Sequence, residues 1–160
     1  MTTINLIYVG NIRENYLLAA AAEYEKRLSA YCRLVCTELR EEKLPDEPSQ
    51  AQIDAAIKKE GERILAVLPS KSKKIALCVE GKQISSEELS VMIKDAENAG
   101  FSQLSFIIGG AFGLSPEVKN ACDFKLSLSK MTFTHRMARV LLLEQIYRAE
   151  NMAAGGKYHK

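Results

Sequence analysis

The chain predicts an α/β protein built on one mostly parallel sheet. Five short apolar runs alternate strictly with segments of helical periodicity, giving β-α-β-α-β-α-β-α-β-α, the order that parallel strands with crossover helices require. The apolar runs are short and bounded by turn residues, as buried strands are. The length of 160 residues fits one domain with a sizeable core, and no linker, internal repeat or low-complexity tract interrupts residues 1–160.

The elements follow in order. Ile4 to Val9 is an apolar strand closed by Gly10. A helix from about Glu14 to Ala30 carries Leu17, Ala21, Tyr24 and Leu28 as one stripe. Leu34 to Leu39 is the second strand, and the acidic, proline-containing segment Glu41 to Gln50 is an exposed loop. Ser49 caps a helix over 51–68 whose stripe is Ile53, Ile57, Ile64, Leu65 and Leu68, with Gly61 inside it and Pro69 ending it. Lys74 to Val79 is the third strand, followed by a turn at Glu80-Gly81-Lys82. Ser85 with Glu88 forms a capping box for a helix that Gly100 stops. Leu104 to Ile108 is the most uniformly apolar strand; Ser115 and Pro116 then start a short helix. Phe124 to Leu128 is the fifth strand, and the last helix runs from Thr134 or His135 to about Ala149. From Glu150 a mobile tail is expected, hinged at Gly155-Gly156.

Composition narrows the function. No apolar stretch approaches a membrane span, and the N-terminus lacks the basic and apolar regions of a signal peptide, so a cytoplasmic protein is expected. The net charge of +2 is too small to argue nucleic-acid binding from bulk charge, but Arg136, Arg139, Arg148, Lys157 and Lys160 crowd the last 25 residues. Cys32, Cys36, Cys78 and Cys122 form no CxxC pair and have no histidine nearby in sequence; they are expected as buried hydrophobes in a reducing compartment, and no metal is expected.

The glycines and both histidines point to the last third of the chain. The first strand is followed by Gly10-Asn11-Ile12-Arg13, which is no dinucleotide fingerprint, and no P-loop exists. The fourth strand runs into Gly109-Gly110 and Gly113, where backbone can approach a ligand or simply turn. After the fifth strand, Ser129, Lys130, Thr132, Thr134 and His135 stand among Met131 and Phe133. That mixture suits a flat heterocycle, with apolar contact on its faces and backbone bonds at its edge, while Thr134 also serves as a helix N-cap. The last helix is apolar on more than one face, so one side is expected to meet a second subunit. Glu144 and Arg148 form an i, i+4 pair expected as surface decoration, and Arg139 has no partner at that spacing.

Ile108-Gly109-Gly110, the run from Leu126 to Phe133, His135, the helix Arg139 to Ala149 and the terminal Tyr158-His159-Lys160 together resemble the ribosomal large-subunit pseudouridine N3-methyltransferases of the SPOUT superfamily. The resemblance covers the whole chain. It implies a trefoil knot in the C-terminal half, a homodimer, and 23S rRNA within the assembled ribosome as substrate. It also implies an S-adenosylmethionine site at Leu77, Gly109, Leu128, Ser129, Lys130, Met131, Thr132 and Phe133. Two positions depart from the family pattern: Thr134 and Lys157 stand where proline is common, and Lys157 loosens the tail.

Methylation at N3 of a uracil-type ring requires loss of the N3 proton, which suits a group of near-neutral pKa. His159 is the expected base or its organiser, with Tyr158 packing on or bonding to the base; His135 is the competitor, expected to hold the cofactor loop. Arg136, Arg139, Arg148, Lys157 and Lys160 are candidates for phosphate contacts. The alternatives are a methyltransferase of the same fold acting on transfer RNA, a non-catalytic ribosome-binding factor, and a flavodoxin-type nucleotide-binding protein.

Overall fold

Ten elements alternate along the chain of the computed structural model, which describes residues 1–160. They are β1 (Thr3–Val9), α1 (Asn15–Leu28), β2 (Arg33–Leu39), α2 (Gln50–Val67), β3 (Lys73–Gln83), α3 (Ser86–Asn98), β4 (Gln103–Ile108), α4 (Pro116–Ala121), β5 (Phe124–Ser127) and α5 (His135–Ala153). The five strands form one sheet in the order β2-β1-β4-β3-β5, and every pairing is parallel. The loops that leave the C-terminal ends of the central strands β1, β4 and β3 therefore share one edge of the sheet.

Period-two alternation divides the strand residues between two cores. Ile4, Leu6 and Tyr8 of β1 join Leu104, Phe106 and Ile108 of β4 against α1, α3 and α5. Ile7 and Val9, with Ala76 and Ile107, pack instead with Ile64 of α2 and Val118 of α4. Between α1 and α3 lies α5, which buries Val140, Leu142, Leu143 and Ile146. Its own neighbours α1 and α3 thus cover much of the apolar surface of α5, while Met137, Leu141 and Tyr147 stay part-exposed. All four cysteines are free, but only Cys32 is fully buried and Cys36 is exposed.

The helix starts follow the local signals. Ser49 and Ser85 both form complete capping boxes, with Gln52 and Glu88 respectively. Ser115 accepts from the Val118 N–H at 3.3 Å, with Pro116 as first helical residue, and Thr134 accepts from the Met137 N–H at 3.3 Å. Three expectations fail. Leu65 is exposed, because the buried face of α2 turns to Ala56, Glu60, Gly61 and Ile64. The turn at Glu80-Gly81-Lys82 is absorbed into β3, whose pairing with β5 shifts register between Leu77 and Lys82. Gly81 serves that passage, since a Cβ there would lie 2.7 Å from the Lys125 carbonyl oxygen.

The third failure is the tail. The last helix continues to Ala153, and the residues after it fold back on it. Gly156 donates to the Asn151 carbonyl at 2.8 Å, and the Tyr158 N–H donates to Asn151 Oδ1 at 3.0 Å. Asn151 Nδ2 donates in turn to the Tyr31 hydroxyl at 2.9 Å. A Cβ on Gly156 would overlap the Asn151 side chain, so the glycine permits this return rather than acting as a hinge.

Two stability predictions follow from this packing. A Cβ on Gly61 would lie 2.4 Å from Ser115 Oγ and 3.2 Å from Val118 Cγ2. Gly61→Ala gains about 1 kcal/mol in helix propensity. It displaces the Ser115 cap, and such overpacking costs about 1–3 kcal/mol. The net expectation is a lower denaturant midpoint; a raised midpoint would refute the close α2–α4 contact. Glu150 supplies the second. Its Oε1 is buried without a partner, and burial, with Glu97 nearby, lifts its pKa to about 7. Between pH 4.5 and about 7 the folded state therefore holds a proton that the unfolded chain has released, so stability falls as pH rises through that window. Glu150→Gln should flatten this dependence in chemical denaturation at pH 5 and pH 8; an unchanged slope would show that Glu150 is not its source.

Candidate active site

The Leu77–Glu80 stretch of β3 and the loops after β4 and β5 meet around a cleft of about 750 Å³. Leu77 and Glu80 of β3 line one part, the Ile108–Leu114 segment a second, and Leu128, Ser129 and the Met131–Arg136 segment a third. The β4 loop is tightly folded: Gly113 donates to the Gly110 carbonyl at 3.1 Å, with Gly113 at φ +86°. A Cβ on Gly109 would lie 2.5 Å from the Gly113 carbonyl, so only glycine lets this loop close on itself. In the β5 loop, Ser127 Oγ donates to the Ser129 carbonyl at 3.0 Å, and Ser129 Oγ accepts from the Met131 N–H at 3.0 Å. These two bonds hold the loop outward and leave Met131 and Phe133 exposed on the cleft rim.

Of the eight positions expected to hold the cofactor, seven line the cleft: Leu77, Gly109, Leu128, Ser129, Met131, Thr132 and Phe133. Lys130 does not line it and is exposed. The set fits a nucleoside with an amino-acid arm, because it offers apolar side chains for ring faces, serine and threonine hydroxyls, and loop backbone at the edges. The motif reading missed Glu80, which pairs with Lys119 of α4 at the cleft wall; that pairing holds the Glu80 carboxyl below its ordinary pKa. No local signal links these two residues, which lie 39 positions apart.

His135 also lines the cleft, as the first residue of α5. Its Nε2 is buried without a partner, near Gly10 and Glu41. Burial, reinforced by Arg136, lowers its pKa, so the ring is neutral at pH 7. Arg136 itself donates to the Asn11 carbonyl at 2.8 Å and thereby ties the start of α5 to the β1 loop.

The structure corrects the phosphate-contact set. Arg139 is 7% exposed: its guanidinium lies 3.7 Å from the Tyr8 ring centroid and bonds Glu25 Oε1 at 3.2 Å. It is an internal cation, unavailable to RNA. Arg148 is shared between Glu144 and the tail, so the Glu144–Arg148 pair is a half-buried anchor rather than surface decoration. Lys157 and Lys160 remain exposed.

Tyr158 and His159 lie on α5 and α3, and neither lines the cleft. The Tyr158 hydroxyl donates to Glu144 Oε1 at 3.1 Å and sits 3.4 Å from the Tyr24 hydroxyl, while its ring packs edge-on against Tyr147 at 4.8 Å. The Tyr24 contact, with burial and Glu144, raises the phenol pKa, so Tyr158 stays neutral. Arg148 can only donate, so His159 Nδ1 accepts from it at 3.2 Å. His159 Nε2 then carries the proton and donates to Glu87 Oε1 at 2.7 Å. In this seat both ring nitrogens are engaged, and the imidazole gains a free lone pair only when the tail shifts.

A parallel sheet with a cleft formed by one stretch of β3 and the loops after β4 and β5, and free of any phosphate-binding glycine signature, defines an α/β protein that binds its ligand at the strand ends. The family model described as "Predicted SPOUT methyltransferase" matches residues 2–159, and the chain belongs to that family. Among its relatives, "Ribosomal RNA large subunit methyltransferase H" of Carboxydothermus hydrogenoformans is 48% identical over 157 residues, spanning 98% of this chain and 99% of that one. The protein of the same name in Clostridium novyi is 49% identical over 157 residues, with the same coverage. Among solved structures, a probable methylase family protein from Haemophilus influenzae matches with a TM-score of 0.53 at 16% identity, covering 99% of this chain and 70% of that one. A probable methyltransferase from Bordetella pertussis matches with a TM-score of 0.54 at 14% identity, covering 93% and 96%. These two show the fold. No helix is long and apolar enough to cross a membrane.

The cleft geometry sets one prediction. Gly109→Ala drives a Cβ into the Gly113 backbone and must open the β4 loop. Affinity for S-adenosylmethionine, measured by calorimetry, should fall by roughly tenfold or more, an effect of about 1.4 kcal/mol. Unchanged affinity would show that this loop does not bound the ligand.

Proposed function

We propose that the protein methylates N3 of a pseudouridine in 23S rRNA, using S-adenosylmethionine, on the assembled ribosome. The observation that carries this is near-full-length identity of 45–49% to proteins named for ribosomal RNA large-subunit methylation, together with a cleft lined by seven of the eight expected cofactor positions. The modest net charge of +2, with Arg139 and Arg148 consumed inside the fold, favours a substrate whose shape and proteins add contacts. That substrate places the protein in the cytoplasm with the ribosome.

When bound, S-adenosylmethionine supplies an electrophilic methyl group on its sulfonium. The chain's residues supply position and a proton acceptor. Leu77, Leu128 and Phe133 would hold the ring system of the cofactor, and Ser129, Thr132 and the Gly109 backbone would hold its polar groups. His159 would accept the N3 proton of the base and carry it away from the ring. Tyr158, kept neutral, donates a hydrogen bond or packs on the base. His135, also neutral and oriented inward, holds the cofactor loop. Since His159 is seated away from the cleft, the tail must leave Glu87 and Arg148 or be supplied by the second subunit of a homodimer. Exposed Tyr16 and Leu18 on α1 give such a subunit apolar surface to cover. Arg136, Lys157 and Lys160 are the remaining phosphate contacts.

The test uses labelled S-adenosylmethionine and intact ribosomes lacking the modification, followed by nucleoside analysis. Label is expected in N3-methylpseudouridine. His159→Ala should abolish transfer while cofactor affinity stays within about twofold of wild type. Transfer at the wild-type rate would remove His159 from the mechanism, and label only in transfer RNA would replace the substrate.

A further inference from the structure

The seven expected cofactor positions that line the cleft are all uncharged. S-adenosylmethionine is not: beyond its sulfonium it ends in an ammonium and a carboxylate, and charged groups drawn out of water need charged or strongly polar partners. The acidic and basic side chains of the lining are Glu80, Lys119, His135 and Arg136. Burial keeps His135 neutral. Arg136 is turned to the Asn11 carbonyl at 2.8 Å, with Glu14 Oε1 3.7 Å away. Glu80 and Lys119 remain, and Glu80 is the sole carboxylate of the lining.

The fold brings these two together from separate elements. Glu80 follows Leu77 by three residues in β3, inside the stretch where the pairing with β5 shifts register. Lys119 belongs to α4, the helix into which the β4 loop leads. The pair thus stands on the same two parts of the chain that carry Leu77 and Gly109. Lys119 holds the Glu80 carboxyl below its ordinary pKa, so both groups are charged at pH 7. Their contact does not exhaust either one. An ammonium has three N–H donors and a carboxylate about four acceptor sites. No other side chain engages Glu80 or Lys119. We propose that Glu80 and Lys119 seat the amino-acid arm of the methyl donor, Glu80 accepting from its ammonium and Lys119 donating to its carboxylate. The inference rests on the methyltransferase reading above. An opposed pair matches a zwitterion at both ends, whereas a lone charge would attract one end and repel the other. The pair therefore selects a donor with an intact arm over an adenosine fragment that lacks it.

Titration calorimetry on the full chain with three ligands tests the assignment. They are S-adenosylmethionine, S-adenosylhomocysteine, which keeps the arm on a neutral sulfur, and methylthioadenosine, which lacks the arm. Glu80→Gln and Lys119→Met should each weaken the first two by roughly tenfold and leave methylthioadenosine within about twofold of its wild-type affinity. Equal weakening of all three would show that the pair only shapes the cleft. A loss in Glu80→Gln confined to S-adenosylmethionine would show that Glu80 answers the sulfonium and not the arm. Either result overturns the proposal, as does wild-type affinity for all three ligands in both variants. Failure of the wild-type protein to bind S-adenosylmethionine at all would instead remove the underlying reading.

Discussion

The structure depends on one constraint: a parallel sheet whose central strands are apolar on both faces must be covered on both. Ile4, Leu6, Ile7 and Val9 of β1, and Leu104, Phe106, Ile107 and Ile108 of β4, are all 3% exposed or less. Such strands stabilise only when helices lie above and below them. Five helices divide this work, with α1, α3 and α5 on one face and α2 and α4 on the other. The division aligns the strands in one direction and gathers their outgoing loops at one edge. The cleft is a by-product of that covering.

Sequence legibility followed the range of the interactions. Strands, caps and helix starts are set by residues within a turn of one another, and Ser49, Ser85, Ser115 and Thr134 all cap where their surroundings indicate. The β4 and β5 loops were visible as glycine and polar clusters, because ligand loops need those residue types. Leu77 had no local mark; it lines the cleft at the last residue before the pairing of β3 with β5 shifts register. Arg139 shows the same limit from the other side. Its partner Glu25 lies 114 positions away, so neither its burial nor its withdrawal from RNA could be seen in the chain. The tail was misread for a related reason: Gly155-Gly156 signals freedom, and Asn151, which ends that freedom, is an ordinary helix residue until Tyr31 and Tyr158 are brought to it.

That seat gives the C-terminal residues a defined resting position made of charge-assisted bonds. Glu144, Arg148 and Glu87 hold Tyr158 and His159 at the boundary between α3 and α5. The imidazole in this position is oriented but chemically occupied. Both ring nitrogens are engaged here, so a free lone pair on the imidazole requires movement of a few terminal residues.

The order of strands also bears on how the chain is made. The first strand, at residues 3–9, lies between β2, which ends at Leu39, and β4, which begins only at Gln103. During synthesis the most apolar strand of the N-terminal half can pair on one side early, but its other edge stays open until two thirds of the chain has emerged. An unpaired apolar edge of this kind is a site for wrong association. The nascent chain therefore passes through a long interval in which it needs shielding, and it folds as one late, cooperative event rather than in stages from its N-terminus.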